Sequence, residues 1–174
     1  VSTWVGLLRG INLGKRRMKM AELRAVCDDL GFTGTKTILA SGNVRFETTD
    51  DAALQQRFED AIEAAFNFRV RVILRRAEEI TSMIASEPFA GVDPKADVAC
   101  HVVLADAPLS PTSDLSALPA HVEVTRMEAR EIFLAAHRLP NGRYTEGLEV
   151  LDTLLPKGAL VTMRNWNTML KLLV

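Results

Sequence analysis

Apolar positions recur along this chain at two spacings, and the switches between them lay out its elements. Residues 3–8, Thr-Trp-Val-Gly-Leu-Leu, are apolar on both alternating faces, which predicts a strand covered on each side. From Lys19 to Leu30 the residues Met20, Leu23, Val26, Cys27 and Leu30 fall at helical spacing, and Gly31 is placed to stop that helix. Two short runs, 35–40 and 43–48, flank Ser41-Gly42 and predict a hairpin or tight corner. Asp50 or Asp51 can cap a second helix whose apolar stripe is Leu54, Phe58, Ala61, Ile62, Ala65 and Phe66. Alternation returns over Arg69 to Arg75, with Val70, Val72 and Leu74 on one face and Arg69, Arg71, Ile73 and Arg75 on the other. The resulting β-α-β-β-α-β order over residues 1–76 is that of a ferredoxin-like domain.

Residues 77–97 predict a linker: a helical segment through Ile80, Met83 and Ile84, stopped at Glu87-Pro88, then a loop with Gly91 and Pro94. Beyond it, 98–174 repeats the scheme more loosely. Val98 to Ala105 alternates as a strand, a Pro- and Ser-rich stretch from Pro108 to Pro119 has room for a short helix at most, and 122–126 and 131–137 are two further strands. Thr145 is placed to cap a helix through Leu148, Leu151, Leu154 and Leu155, stopped by Pro156. An extended run to Met163 follows, and Asn165 is a natural N-cap for a last helix through Trp166, Met169, Leu170 and Leu173. The predicted class is therefore α+β: two ferredoxin-like halves packed together, with an extra C-terminal helix. A four-stranded sheet with helices on one face leaves its other face open, so the second half or a partner is expected to cover it.

Composition narrows the function classes. With 48% hydrophobic residues in 174, the chain can fill a core, and 21 Lys+Arg against 22 Asp+Glu leave no global pull toward nucleic acid or an anionic membrane. Positive charge is instead local: residues 9–24 hold Arg9, Lys15, Arg16, Arg17, Lys19 and Arg24 against Glu22 alone. Two cysteines, Cys27 and Cys100, form no ligand-spaced motif, which fits a reducing cytoplasm. No apolar run approaches the length of a membrane span, so no membrane association is expected. His101, His121 and His137 show no zinc spacing, and neither metal nor cofactor is predicted. His101 and His137 lie in strands, where a coupled pair is conceivable.

Three polar clusters interrupt otherwise apolar elements. The loop Arg9-Gly10-Ile11-Asn12-Leu13-Gly14-Lys15-Arg16-Arg17 superficially resembles a phosphate-binding P-loop, but it is one residue short and has Arg16 where a magnesium-binding Ser or Thr belongs. A simpler anion site remains open there, with backbone N–H groups in a concave turn beside Arg9, Asn12, Lys15 and Arg16; so does a plain solvated turn. Ser41-Gly42-Asn43 and Arg164-Asn165-Trp166-Asn167 are the second and third clusters, each with an equally ordinary turn or capping role. Ser41 lacks the context of a nucleophile.

Leu8-Arg9-Gly10-Ile11-Asn12-Leu13-Gly14, Ala40-Ser41-Gly42-Asn43-Val44-Arg45-Phe46 and Thr162-Met163-Arg164-Asn165-Trp166-Asn167-Thr168 together resemble a bacterial family known as domain of unknown function 1697. The resemblance implies an α+β fold of two ferredoxin-like halves and a cytoplasmic protein, and brings no substrate, cofactor or catalytic residue. It also exposes a departure: where family members often carry a Ser/Thr-Lys step after the second-half glycine turn, this chain has Gly142-Arg143-Tyr144-Thr145-Glu146. Arg143 would have to replace that lysine in any shared site.

The expectation is a small cytoplasmic protein, monomer or weak homodimer, that binds a phosphate- or carboxylate-bearing small molecule through Arg9, Asn12, Lys15, Arg16, Ser41, Asn43, Arg164, Asn165 and Asn167. An enzyme acting on a phosphorylated metabolite in the same groove is one alternative, with Arg9 and Arg164 stabilising developing charge. A single-stranded nucleic-acid binder using Arg45, Arg69 and Arg71 is another, disfavoured because the open-face aromatics of an RNA-recognition sheet are missing.

Overall fold

The computed structural model describes residues 1–39, 42–49, 52–110 and 114–174. Two compact units divide the chain: one is Val1–Ser82 with Leu170–Val174, the other Met83–Met169. The first runs β1 (Ser2–Leu8), α1 (Met20–Asp29), β2 (Thr33–Ile38), β3 (Asn43–Thr48), α2 (Leu54–Phe66) and β4 (Val72–Arg76), followed by α3 (Ala77–Ala85). Its strands form an antiparallel sheet in the order β2-β3-β1-β4.

One face of that sheet carries Leu8, Val44, Phe46 and Val72, onto which α1 packs Leu23, Val26 and Cys27 and α2 packs Leu54, Phe58 and Ile62. Phe32 stacks on Phe46 at 4.2 Å, and Phe58 meets both rings edge-on at 5.5 Å, the offset and edge geometries that aromatic quadrupoles favour. Helix α1 ends in a Schellman motif: the Gly31 N–H donates to Asp28 O and the Phe32 N–H to Cys27 O, each at 3.0 Å. The cap expected of Asp50 or Asp51 on α2 falls outside the described residues; the N-cap position is Ala53, which supplies no side-chain bond. On the opposite face Val5, Leu7 and Ile73 are fully buried, as the two-faced apolar pattern of β1 requires. There Lys36 donates to Val174 O and Arg45 to Leu172 O, tying the last residues to this unit.

The charge alternation over 69–75 does not translate into inside and outside. Arg69 to Arg71 precede β4, and Arg75 is as buried as Val72, beside Glu79 one helical turn on. Helix α2 explains the start of the strand: its Glu59, 3% exposed, accepts the Val72 N–H at 2.8 Å and the Arg71 Nε–H at 2.9 Å.

The second unit contains β5 (Val98–Ala105), β6 (Val122–Met127), β7 (Glu131–His137), α4 (Leu151–Leu154) and β8 (Val161–Asn165), leading into α5 (Trp166–Lys171). Its antiparallel sheet has the order β6-β7-β5-β8, position for position the order of the first. The layer over it differs. Between β5 and β6 the described residues form turns and extended chain, and the helix expected from Thr145 to Leu155 shrinks to a 3-10 turn at Leu148–Val150 and the single turn of α4. Gly147, at φ +84°, breaks the helical path before it can start at Thr145, and Pro156 closes it five residues after Leu151. Leu148, Leu151 and Leu155 still cover Val103, Ala105, Ile132 and Leu134 of the sheet.

Candidate functional site

Because α4 is so short, it covers only one end of its sheet face. Along β5 the same face continues from Val103 to His101 and Ala99, and antiparallel pairing brings Asn165 of β8 opposite His101. Among the described residues no helix lies over these three. The segment 143–149 passes there instead, and with them it lines a cleft of about 660 Å3. Arg143, Tyr144, Thr145, Glu146, Gly147 and Glu149 form its other wall.

That wall is held by polar bonds rather than by secondary structure. Leu139 and Arg143 close a turn, with the Leu139 N–H on Arg143 O and the Gly142 N–H on Leu139 O, both 2.8 Å. Asn141 braces it twice, accepting the Arg143 N–H at Oδ1 and donating from Nδ2 to Glu146 Oε2, both 2.9 Å. The Tyr144 hydroxyl donates to Asp97 Oδ1 at 2.5 Å, and Asp97 also accepts from Arg138 at 3.3 Å. These bonds, the tyrosine first, hold the Asp97 carboxyl below its ordinary range and push the tyrosine phenol up. His121 fixes the backbone from behind through a 2.9 Å bond between Nε2 and Tyr144 O. A rigid loop is the result.

Two side chains in this cleft are chemically conspicuous. The Arg143 guanidinium is exposed and, among the described residues, makes no hydrogen bond or ion pair. His101 is half-buried, and burial lowers its pKa against the smaller opposing effect of its bond to Ala99 O. Since a carbonyl only accepts, the 3.3 Å Nδ1–Ala99 O contact places the ring proton on Nδ1 and leaves Nε2 as an acceptor.

The residues singled out from the sequence are distributed as follows. In the first unit the loop 9–17 closes on itself: Asn12, left-handed at φ +58°, donates its N–H to Arg16 O, accepts the Met18 N–H at Oδ1 and receives Arg17 at its carbonyl. Arg16 stacks over Phe68 at 5.3 Å and donates to Arg69 O. Arg9 and Lys15 are exposed. Close packing joins this loop to the β2–β3 corner, because a Cβ on Gly42 would lie 2.8 Å from Ile11 and 2.9 Å from Leu8. Ser41 lies outside the described residues. Asn43 is fully buried and donates to Ile38 O, so its amide serves the corner itself.

In the second unit Arg164 and Asn165 point to opposite faces of β8. Arg164 pairs across the sheet with Val102, is 9% exposed, donates to Thr162 Oγ1 at 2.6 Å, and has its pKa lowered to about 10 by burial. Asn165 lines the cleft and also caps α5, accepting the Asn167 N–H at 2.8 Å. Thus one member of the third cluster reaches the cleft, while Arg164 belongs to the sheet interior. The suggested pairing of His101 with His137 fails on register: His101 stands opposite Leu134 and His137 opposite Val98, an odd offset that puts the two rings on opposite faces.

The arginines considered for nucleic acid are committed elsewhere. Arg69 pairs with Asp60, Glu63 and Glu59, Arg71 with Glu59, and Arg45 with Leu172 O. Among the described residues no group of three or more His, Cys, Asp or Glu is placed to hold a metal, and no helix is long and apolar enough to cross a membrane.

A family model, Protein of unknown function (DUF1697), matches residues 1–133. The chain belongs to that family. The matched span takes in Val1–Ser82 of the first unit together with β5, β6 and part of β7; of the cleft it includes Ala99 and His101 but neither Asn165 nor the wall from Arg143 onward. Across nearly the whole chain the fold is similar to that of a solved structure described as the conserved bacterial protein SP0830 from Streptococcus pneumoniae. The two share 21% identity with a TM-score of 0.70, covering 98% of this chain and 96% of that one. No curated protein matches. The function of the family is unknown, and the structural likeness shows the fold alone.

Proposed function

We propose that this DUF1697 protein binds a small molecule carrying a carboxylate or phosphate, and that the cleft of the second unit is where it binds. The observation that carries the reading is Arg143: a guanidinium with no protein partner among the described residues, set on a braced loop at a cleft of about 660 Å3, within the size range of small-molecule sites. A guanidinium presents a planar fork of N–H donors that matches two oxygens at once, so an exposed, rigidly mounted one selects for such anions. Asn165 and the Nε2 of His101 supply neutral hydrogen-bonding groups on the facing sheet.

Of the nine residues expected to contact the ligand, this reading keeps Asn165 and adds Arg143, Tyr144 and His101. The loop 9–17 contributes less in this reading, because Asn12 and Arg16 already serve protein acceptors. A thermal-shift screen of small carboxylates and phosphates on the full chain tests the proposal. A ligand at about a hundred times its Kd adds roughly 2.7 kcal/mol to stability, and Arg143→Gln is expected to erase the shift while leaving the unliganded melting temperature in place. A shift that survives in Arg143→Gln refutes the site.

A further inference from the structure

Charge in the cleft is mixed, and this narrows the ligand beyond "anionic". Arg143 brings one positive charge, Glu146 and Glu149 bring two negative charges, and His101 is held toward its neutral form by burial. A phosphate monoester, carrying close to two negative charges, would gain the arginine but face both carboxylates. A simple carboxylic acid would leave those carboxylates without a counter-charge. Hydrogen bonding sharpens the contrast: Nε2 of His101 offers a lone pair, which requires a donor on the ligand, and a carboxylate or fully ionised phosphate has none. Glu146 is steadied by Asn141, and Glu149, in the 3-10 turn, is exposed.

We infer that the ligand is a zwitterion of the α-amino-acid class, its carboxylate on the Arg143 guanidinium and its ammonium toward Glu149, Glu146 and Nε2 of His101. This rests on the preceding reading that the cleft is the binding site. An ammonium supplies three donors, and the cleft supplies three acceptors of the right kind. The carboxylate matches the guanidinium fork in the same way as a protein carboxylate would. Thr145 and Asn165 are left for the side chain of the ligand, which sets which amino acid is preferred.

The test is calorimetric titration of the full chain with the standard L-amino acids, each compared with its N-acetyl derivative, which lacks the ammonium, and its α-carboxamide, which lacks the carboxylate. Inorganic phosphate and acetate serve as simple anions. An amino acid is expected to bind at least about tenfold more tightly than either of its derivatives, the effect of one charge-assisted contact. Arg143→Gln should abolish its binding, and Glu149→Gln should weaken the amino acid while leaving the N-acetyl form unchanged. Unliganded melting temperatures confirm that both surface variants fold. If phosphate or an N-acetyl derivative binds as tightly as the amino acid, and does so through Arg143, the zwitterion is refuted while the anion-binding cleft stands. If no probe binds in an Arg143-dependent way, both ideas fall.

Discussion

Glu59 is the point where a helix, a strand and two arginines are held by one carboxylate, and its substitution separates the value of a buried hydrogen bond from that of a charge. Its Oε2 accepts the fully buried Val72 N–H at 2.8 Å and the Arg71 Nε–H at 2.9 Å, whereas Oε1 meets Arg69 at 3.3 Å. The glutamate side chain is 4% exposed, and those of Arg69 and Arg71 are 42% and 51% exposed. Solvent therefore screens the arginines, and the ionic part of the cluster is modest. Glu59→Gln keeps one oxygen for Val72 and Arg71 and gives up the charge, at about 1 kcal/mol. Glu59→Ala also strands the Val72 N–H at the start of β4, where no water reaches it, and empties the volume above the strand, for a total of about 3 kcal/mol. Urea unfolding of the full chain measures both. Raising the salt concentration should narrow the gap between wild type and Glu59→Gln, which is ionic, and leave the further loss in Glu59→Ala unchanged. Equal costs for the two variants would show that the charge, not the backbone bond, holds β4 to α2, and would overturn this account.

Other outcomes follow from single residues. Gly147→Ala places a Cβ 2.8 Å from Pro119 at a backbone φ of +84°, so a loss of about 2 kcal/mol is expected in thermal or urea unfolding; a neutral result would show that the 143–149 wall yields easily. Cys27 is buried with its thiol pushed up to about 12 by burial and then by Asp28, whereas Cys100 is only partly buried. A thiol reagent at pH 8 should accordingly modify Cys100 first and reach Cys27 only on unfolding, and prompt labelling of both in the native protein would contradict the packing of α1. The lowered pKa of His101 means that the unfolded chain binds its proton more readily than the folded one. Its contribution to stability is thus complete above the unfolded value near 6.5 and is lost as pH falls through that value toward the lower folded one. His101→Asn should flatten this part of the stability–pH curve, and an unchanged curve would remove the histidine as its source.

How much of this was legible in the sequence depends on whether a feature is local. The existence of the strands follows from periodicity, although the charge alternation over 69–75 misplaces Arg75, and the α1 stop follows from the left-handed freedom of Gly31. The eleven-residue helix suggested by Leu148, Leu151, Leu154 and Leu155 has the right spacing, but periodicity does not reveal that Gly147 turns left-handed beneath Pro119 and leaves room for little more than one helical turn. Two of the polar residues turn out to serve the fold. Asn43 and Arg164 look like ligand contacts because they interrupt apolar runs, yet both lie inside, since a tight corner and a sheet face each needed a buried donor. Glu59 drew no attention for the converse reason: a glutamate beside the apolar stripe of a helix reads as solvated, and only the tertiary arrival of Val72 makes it an acceptor.

The cleft is the non-local feature that matters most, and the comparison of the two sheets explains where it comes from. Both have the same strand order, and both need a layer on the face that carries Val44 and Phe46 in one and Val103 and Leu134 in the other. In the first unit α1 and α2, ten and thirteen residues long, supply that layer completely. In the second, a 3-10 turn and four residues of α4, together with Leu109 and Leu155, cover one end, and at the other the sheet presents a histidine, an alanine and an asparagine in place of large apolar side chains. The two deficits match: a strand end that was meant to be buried under a helix would carry Val, Ile or Leu, whereas one meant to face a ligand carries groups that hydrogen-bond and leave space. If the cleft is the binding site proposed above, the shortened helix is a condition of binding, since restoring it would fill the cleft. Lengthening α4 to the size of α2 should therefore stabilise the second unit and eliminate ligand binding together, the trade expected when a fold gives up packing to keep a site open.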